Sequence, residues 1–343
     1  MDAVLTCMVD EKLGPGELNA KLIQSVKEFT GCDGAVAFRS PAIAFSYVLK
    51  TLDLEAGSSV MISALAPSWH YTAIKNLGYS PLVLDVSEDT GLVCADAVQK
   101  GVKDGGRLLL LHESMGILPN IDEILSLGIP VVEDISHSVG SSYLFRDSDD
   151  NPQEKSEGPQ KKAGMAGLYS ILGLEANDTI TAGGGAILIA PKRREWIVLK
   201  KYTDSAPDTD ILSDMNSALG FVQLKEFARN EQSRKALFDI FQKSLMNGKN
   251  RTFARETDDG STVWSFPVVL SGSFKDARQY AAKKEIEIRP AYENSVIAFL
   301  DEDERSKYIH AKSLYLRCAL FPLYPRLGSE AATKIAKVLG TLP

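Results

Sequence analysis

Along the first two thirds of the chain, short runs that are apolar throughout alternate with segments whose apolar residues recur at helical spacing. Residues 34–40 (GAVAFRS), 58–65 (SSVMISAL), 80–86 (SPLVLDV), 106–114 (GRLLLLHES) and 129–136 (IPVVEDIS) read as strands. Between them, 41–54 (PAIAFSYVLKTLDL), 68–78 (SWHYTAIKNLG, closing on Gly78) and 120–128 (NIDEILSLG) read as helices. Strands apolar on both faces belong to sheets covered on both faces, so the pattern predicts a mostly parallel sheet between helices. Ligands of such sheets sit beyond the carboxyl ends of the strands. That draws attention to Ser40, Trp69, His70, Tyr71, His112, Asp134, His137 and Ser170.

The alternation breaks at 145–163 (FRDSDDNPQEKSEGPQKKA), a polar, Pro-containing insertion that reads as a surface loop. Residues 215–245 then carry the period of a long amphipathic helix, with room for an interruption. The segments 263–270, 274–286 and 330–339 suit a small α+β cap. The expected organisation is a large α/β domain over 1–225 and a small C-terminal α+β domain, with its linking helix, over 226–343.

Composition narrows the function classes. The 343 residues are 44% hydrophobic and 24% charged, enough to build a buried core of this size. A net charge of −7 without any Lys/Arg cluster argues against nucleic acid as a partner. Four cysteines (Cys7, Cys32, Cys94, Cys318), none in a Cys-x-x-Cys pair, read as free thiols of a reducing compartment. The first residues lack a signal-peptide pattern and no apolar run is long enough to span a membrane, so a cytoplasmic protein without membrane partners is expected. No His, Cys and carboxylate set has metal-ligand spacing, and no Ser–His–Asp arrangement is legible, so no metal site is expected.

Residues 169–188 (YSILGLEANDTITAGGGAIL) pose the sharpest question. A glycine-rich turn after a strand often cradles a phosphate, yet no lysine lies between Lys162 and Lys192. Taken in order, GAVAFRSPAIAF, APSWHYTAIKNLGYSPLVLDV, HESMGILPNIDEI, VVEDISHSVGSSY, GMAGLYSI, TITAGGGAIL, SALGFVQLKEF and LFPLYPRLGSEAATKIAKVL resemble the DegT/DnrJ/StrS family from about residue 20 to the C-terminus. That family comprises fold-type-I sugar-nucleotide aminotransferases that use pyridoxal phosphate (PLP). The resemblance implies a PLP-transferase-like α/β fold: a large domain with a mostly parallel seven-stranded sheet between helices, and a small C-terminal α+β domain. It also implies a dimer with active sites at the subunit interface, as a homodimer or as a heterodimer with an active paralogue.

The resemblance further assigns site residues. Within EDISHS, Asp134 takes the place of the carboxylate that faces the pyridine nitrogen, and His137 that of a glutamine near the 3-hydroxyl, where it could shuttle a proton. Tyr71, or else Trp69, supplies the ring over the cofactor. Ser170 matches a phosphate-binding serine. The phosphate turn, Ser-Gly-Thr-Ala-Ala in the family, reads Ser40-Pro41-Ala42-Ile43-Ala44, leaving Ala42 and Ile43 to meet the phosphate without the threonine hydroxyl and with one N–H fewer. The family's Asn-x-Arg aligns with Thr209 and Ile211, and Met165 stands in its Gly-Asp. His112 matches a family histidine, read as structural. In the slot of the Schiff-base lysine stands Asp178 if the glycines anchor the alignment, or Glu175 if Ser170 does. A carboxylate forms no imine.

Three functions follow. A non-catalytic homologue would act as a partner, scaffold or sugar-nucleotide binder, with PLP or pyridoxamine phosphate (PMP) held non-covalently if at all. A PMP-dependent sugar-nucleotide dehydratase would use His137, Asp178 or Glu175. An ordinary aminotransferase would need its lysine from elsewhere, such as Lys161 or Lys162 of the insertion.

Overall fold

The computed structural model describes residues 2–144, 160–246, 248–254 and 260–343. Seven strands form the main sheet: β1 (Gly34–Phe38), β2 (Ser59–Ser63), β3 (Ser80–Leu84), β4 (Gly106–His112), β5 (Val131–Asp134), and, after a hairpin of β6 (Ser142–Leu144) with β7 (Gln160–Lys162), β8 (Tyr169–Gly173) and β9 (Ala186–Ala190). Their order is β1-β9-β8-β5-β4-β2-β3. Neighbours from β8 to β3 pair in parallel, and only β9 runs against the rest. This is the mostly parallel sheet that the apolar runs predict, with the seven strands that the resemblance implies. The chain leaves β2 for β3 at one edge and returns to β4 on the other side of β2. Such a reversal opens a crevice at the carboxyl ends of the strands.

Helices cover both faces. Those before and between the strands are α1 (Asp2–Val9), α2 (Glu17–Thr30), α3 (Pro41–Leu52), α4 (Ser68–Asn76), α5 (Ala95–Lys103), α6 (Ile121–Ser126) and α7 (Arg193–Thr203). On one face Phe45, Val48, Ile62, Leu110 and Ile171 pack into a core with α3 and α4. On the other, Met61, Leu109, Leu111 and Val98 pack with α5 and α6. Burying a side chain of this size contributes about 1.5–3 kcal/mol.

The amphipathic stretch 215–245 folds as two helices, α8 (Asp214–Lys225) and α9 (Phe227–Leu245), broken at Glu226. A second sheet follows, with β10 (Phe266–Val269), β11 (Arg289–Pro290) and β12 (Cys318–Phe321) in the order β10-β12-β11. It buries Phe266 and Val268 against Phe238 and Phe241 of α9 and against the final helix, Ser329–Leu339. The loop expected over 145–163 needs correction at its end: Gln160–Lys162 pairs antiparallel with Ser142–Leu144. Residues 145–159 lie outside the described residues. Among the described residues, no helix is long and apolar enough to cross a membrane.

Candidate functional site

The strand register builds the site. β4 and β5 end together, with His112 opposite Asp134. From the start of α4, His70 donates from Nε2 to Asp134 Oδ2 (2.8 Å), and His112 donates from Nδ1 to the same oxygen (2.9 Å). Asp134 Oδ1 accepts from the N–H (3.1 Å) and the hydroxyl of Ser136. All three of Asp134, His70 and His112 are buried. Burial alone would raise the Asp134 carboxyl, but the charge and hydrogen bond of His112, joined by those of His70, hold it well below the usual range. Burial pushes His70 down despite Asp134, and pushes His137 well below its ordinary value with help from His112. A carboxylate with no proton only accepts. His70 therefore donates from Nε2, with Nδ1 left without a partner, and His112 donates from Nδ1, with no hydrogen bond to Nε2 among the described residues.

Aromatic rings continue outward from this cluster. Trp69 meets His70 edge-on at 4.2 Å, His70 meets His112 at 5.8 Å, and His112 meets His137 at 4.9 Å. His137 lies flat on Trp264, with centroids 3.8 Å apart and planes 15° apart. The Trp264 indole N–H donates to the Asn177 carbonyl at 2.6 Å, tying this column to the turn after β8.

A cavity of about 920 Å³ opens at this end of the strands. Trp69, His112, His137 and Trp264 line it, with Glu175 and Asp178 from the turn after β8. Arg229, Arg234, Arg289 and Arg326 line it from the α9 side and the second sheet. Asp178 is pushed up to about 7, first by burial and then by the charge of Asp134, although the Glu175 N–H donates to it at 2.7 Å. Gly173 makes room for this carboxyl: a Cβ there would lie 2.3 Å from Asp178 Oδ2 and 2.7 Å from Ser136 Oγ. The glycine run is used by the backbone itself. Gly183, Gly184 and Gly185 all have positive φ (74°, 140°, 113°), and the N–H groups of Ala182 and Gly184 donate to the Leu174 carbonyl.

The sequence-derived candidates divide cleanly. Trp69, His137, Glu175 and Asp178 reach the cavity, whereas Asp134, Ser170, Tyr71, Ala42 and Ile43 do not line it. Asp134 sits behind His112 and Ser136 with four donors on its two oxygens. Ser170 is wholly buried and donates to the Gly164 carbonyl at 2.9 Å. The Tyr71 ring lies under the Lys75 ammonium at 5.1 Å, so of the two ring candidates it is Trp69 that meets the cavity. The Ile43 N–H caps onto Ser40 Oγ (3.2 Å). Lys161 belongs to β7, and Lys162 donates to the Phe29 carbonyl. Among the described residues, no lysine lines the cavity.

Among the described residues, this arrangement does not fit an aldimine-linked PLP: Asp134 already accepts four hydrogen bonds, Ser170 is turned to the Gly164 carbonyl, and no described lysine amine lines the cavity. A metal ion was not expected, yet the fold gathers His70, His112 and Asp134 with donor atoms within 4.8 Å of one another. Both imidazoles aim an N–H at a single oxygen, so the set is built as a hydrogen-bond cluster. Sequence reading missed the pairing of His70 and His112 with Asp134, as well as Trp264 and the arginines. Strand-end positions of His112 and Asp134 were legible, but their contact rests on register.

Comparison with known proteins gives one picture. Residues 1–340 match the model of the DegT/DnrJ/EryC1/StrS aminotransferase family. EpsN of Bacillus subtilis (strain 168), named as a pyridoxal phosphate-dependent aminotransferase, is 24% identical over 307 residues, covering 81% of this chain and 74% of that protein. Spr1654 of Streptococcus pneumoniae, named as a sugar aminotransferase and solved in its PLP-form, superposes with a TM-score of 0.85 at 17% identity, covering 99% of this chain and 96% of that one. A variant of GDP-4-keto-6-deoxymannose-3-dehydratase (ColD) with bound GDP-perosamine gives 0.80 at 16% identity, covering 98% and 96%.

Proposed function

The chain belongs to the DegT/DnrJ/EryC1/StrS aminotransferase family, and from that membership we propose that it binds a nucleotide-linked sugar at the strand-end cavity without transaminating it. One observation carries the reading. Glu175 and Asp178 occupy the turn where the family resemblance expects the Schiff-base lysine, and no described lysine lines the cavity. The rest of the lining suits such a ligand. Arg234 and Arg326, which have no ion-pair partner within 4 Å among the described residues, suit a diphosphate, and Trp69 and Trp264 offer faces for a sugar or base. Uptake of PLP or PMP here is supported by the PLP-form and PMP-form of the Streptococcus neighbour, and with no described lysine in the lining such a molecule is held without a covalent bond. Exposed Leu5 and Met8 on α1, beside exposed Met215 and Leu219 on α8, support assembly as a dimer, with itself or with an active paralogue.

The test is an absorbance titration with PLP and with PMP, followed by incubation with GDP-4-keto-6-deoxymannose and an amino donor. The expected result is sugar-nucleotide binding by calorimetry, no aldimine band and no amino sugar. A borohydride-trapped cofactor adduct with reproducible amino-sugar formation overturns the reading. A second reading, PMP-dependent dehydration, is favoured by His137, a buried neutral imidazole that lines the cavity. Loss of water from the sugar that needs PMP and disappears in His137→Ala would put it first.

A further inference from the structure

Beyond binding, we infer that His112, backed by Asp134, and Asp178 form a cofactor-independent acid–base pair acting on a carbon acid, a keto sugar carried on a nucleoside diphosphate; this rests on the binding reading above. The first half of the argument is orientation. Asp134 takes the Nδ1–H of His112 at 2.9 Å and is itself fixed by Ser136 and His70. That fixes the ring with Nε2 turned away from the carboxylate, and in the neutral ring it places the lone pair on Nε2. His112 lines the cavity, and among the described residues Nε2 has no hydrogen-bond partner. A carboxylate behind an imidazole also stabilises the imidazolium that forms when Nε2 takes a proton. His70 shares the carboxylate but serves only to position it, since it lies outside the lining.

The second half is the acid. Asp178 lines the same cavity, tucked against Gly173 and near Asp134, and its environment favours the protonated carboxyl around neutral pH. Neither His112 nor Asp178 is needed to hold a diphosphate, a task that suits the arginines. The two groups complement enolisation. His112 Nε2 removes the proton from the carbon beside the ketone. The C–H electron pair becomes the carbon–carbon double bond, and the carbonyl π pair moves to oxygen, which takes the proton of Asp178. Reversal restores the ketone, so no oxidant, reductant or cofactor enters the balance. Positioned acid–base groups of this kind contribute about 10²–10⁴-fold.

The experiment is hydrogen exchange in deuterium oxide with GDP-4-keto-6-deoxymannose and its UDP and dTDP counterparts, using protein stripped of PLP with hydroxylamine. Deuterium at the carbons flanking the ketone is read by NMR, and affinity is measured separately by calorimetry. The expected result is exchange well above the protein-free control, reduced at least 100-fold per bound ligand in His112→Gln and at least 10-fold in Asp178→Asn. Binding by wild-type protein with exchange no faster than the control overturns the inference and leaves the binding reading standing. Exchange undiminished in both folded variants also overturns it. Failure to bind all three ligands overturns the binding reading and the inference with it.

Discussion

Glu113, one residue beyond β4, is wholly buried, and so is Glu133 of β5. Tyr143 OH contacts Glu113 and lies 3.0 Å from Glu133 Oε2, while Ser138 donates to Glu113. Glu133 takes the backbone N–H groups of Gly164, Ala166 and Gly167, which pins the turn leading into β8. Burial first, and then the charge of Glu133, push the Glu113 carboxyl well above its ordinary value. The folded state therefore keeps a proton that the unfolded chain releases. Stability from this group is fully present below the ordinary carboxylate range and declines as pH rises from there through the raised folded-state value. Glu113→Gln should accordingly melt higher than wild type at pH 8 and about level with it at pH 4. Glu133→Gln should lose about 3 kcal/mol in denaturant titrations, because an amide nitrogen would face backbone donors. Asp178 follows the sign of Glu113, with its window running from the ordinary Asp range up to about 7. Asp178→Asn should gain about 2–4 °C in melting temperature at pH 8 and nothing at pH 4.

The turn between β8 and β9 shows what an element demands of its residues. Gly185 has φ +113°, and a Cβ there would lie 2.5 Å from Leu212 Cδ1. Gly185→Ala should cost at least ~1–3 kcal/mol by chemical denaturation. An unchanged midpoint would mean that the turn adopts another conformation. The same turn marks the limit of sequence legibility. Strands and helices were readable because their periods are local, from Gly34–Phe38 through Val131–Asp134. The break at Glu226 was not placed, since no Gly or Pro marks it and the apolar period runs on into α9. The strand over Gln160–Lys162 has no apolar content to betray it and exists through pairing with Ser142–Leu144. Within the site, the acids after β8 were visible as residue types against an expected lysine. Two of the four donors to Asp134 come from Ser136 close by, but the two histidines come from positions 64 and 22 residues away, and no local pattern encodes them.

For the whole molecule, a net charge of −7 coexists with four arginines lining one cavity. An anionic ligand is thus repelled at long range and held at short range. Arg234 is the most informative of the four, because burial lowers its pKa against the support of Glu231 and no hydrogen bond to it is seen among the described residues. Arg234→Gln should weaken sugar-nucleotide binding about 10-fold by calorimetry, the loss expected for a charge-assisted hydrogen bond. An affinity within two-fold of wild type would place the diphosphate elsewhere in the cavity.

The flat contact of Trp264 on His137 also gives the protein an optical signal of its own. The chain has three tryptophans; Trp69 and Trp264 line the cavity, and Trp196 packs against Gly34 on the sheet. Ligand entry should change the emission of the first two over a constant contribution from the third. A protonated imidazole stacked on indole quenches its fluorescence, but burial keeps His137 neutral to well below its ordinary value. The ligand-free protein should therefore show no imidazolium quenching between pH 8 and pH 6, and a change in emission on adding a nucleotide sugar at fixed pH reports occupancy, with no label attached.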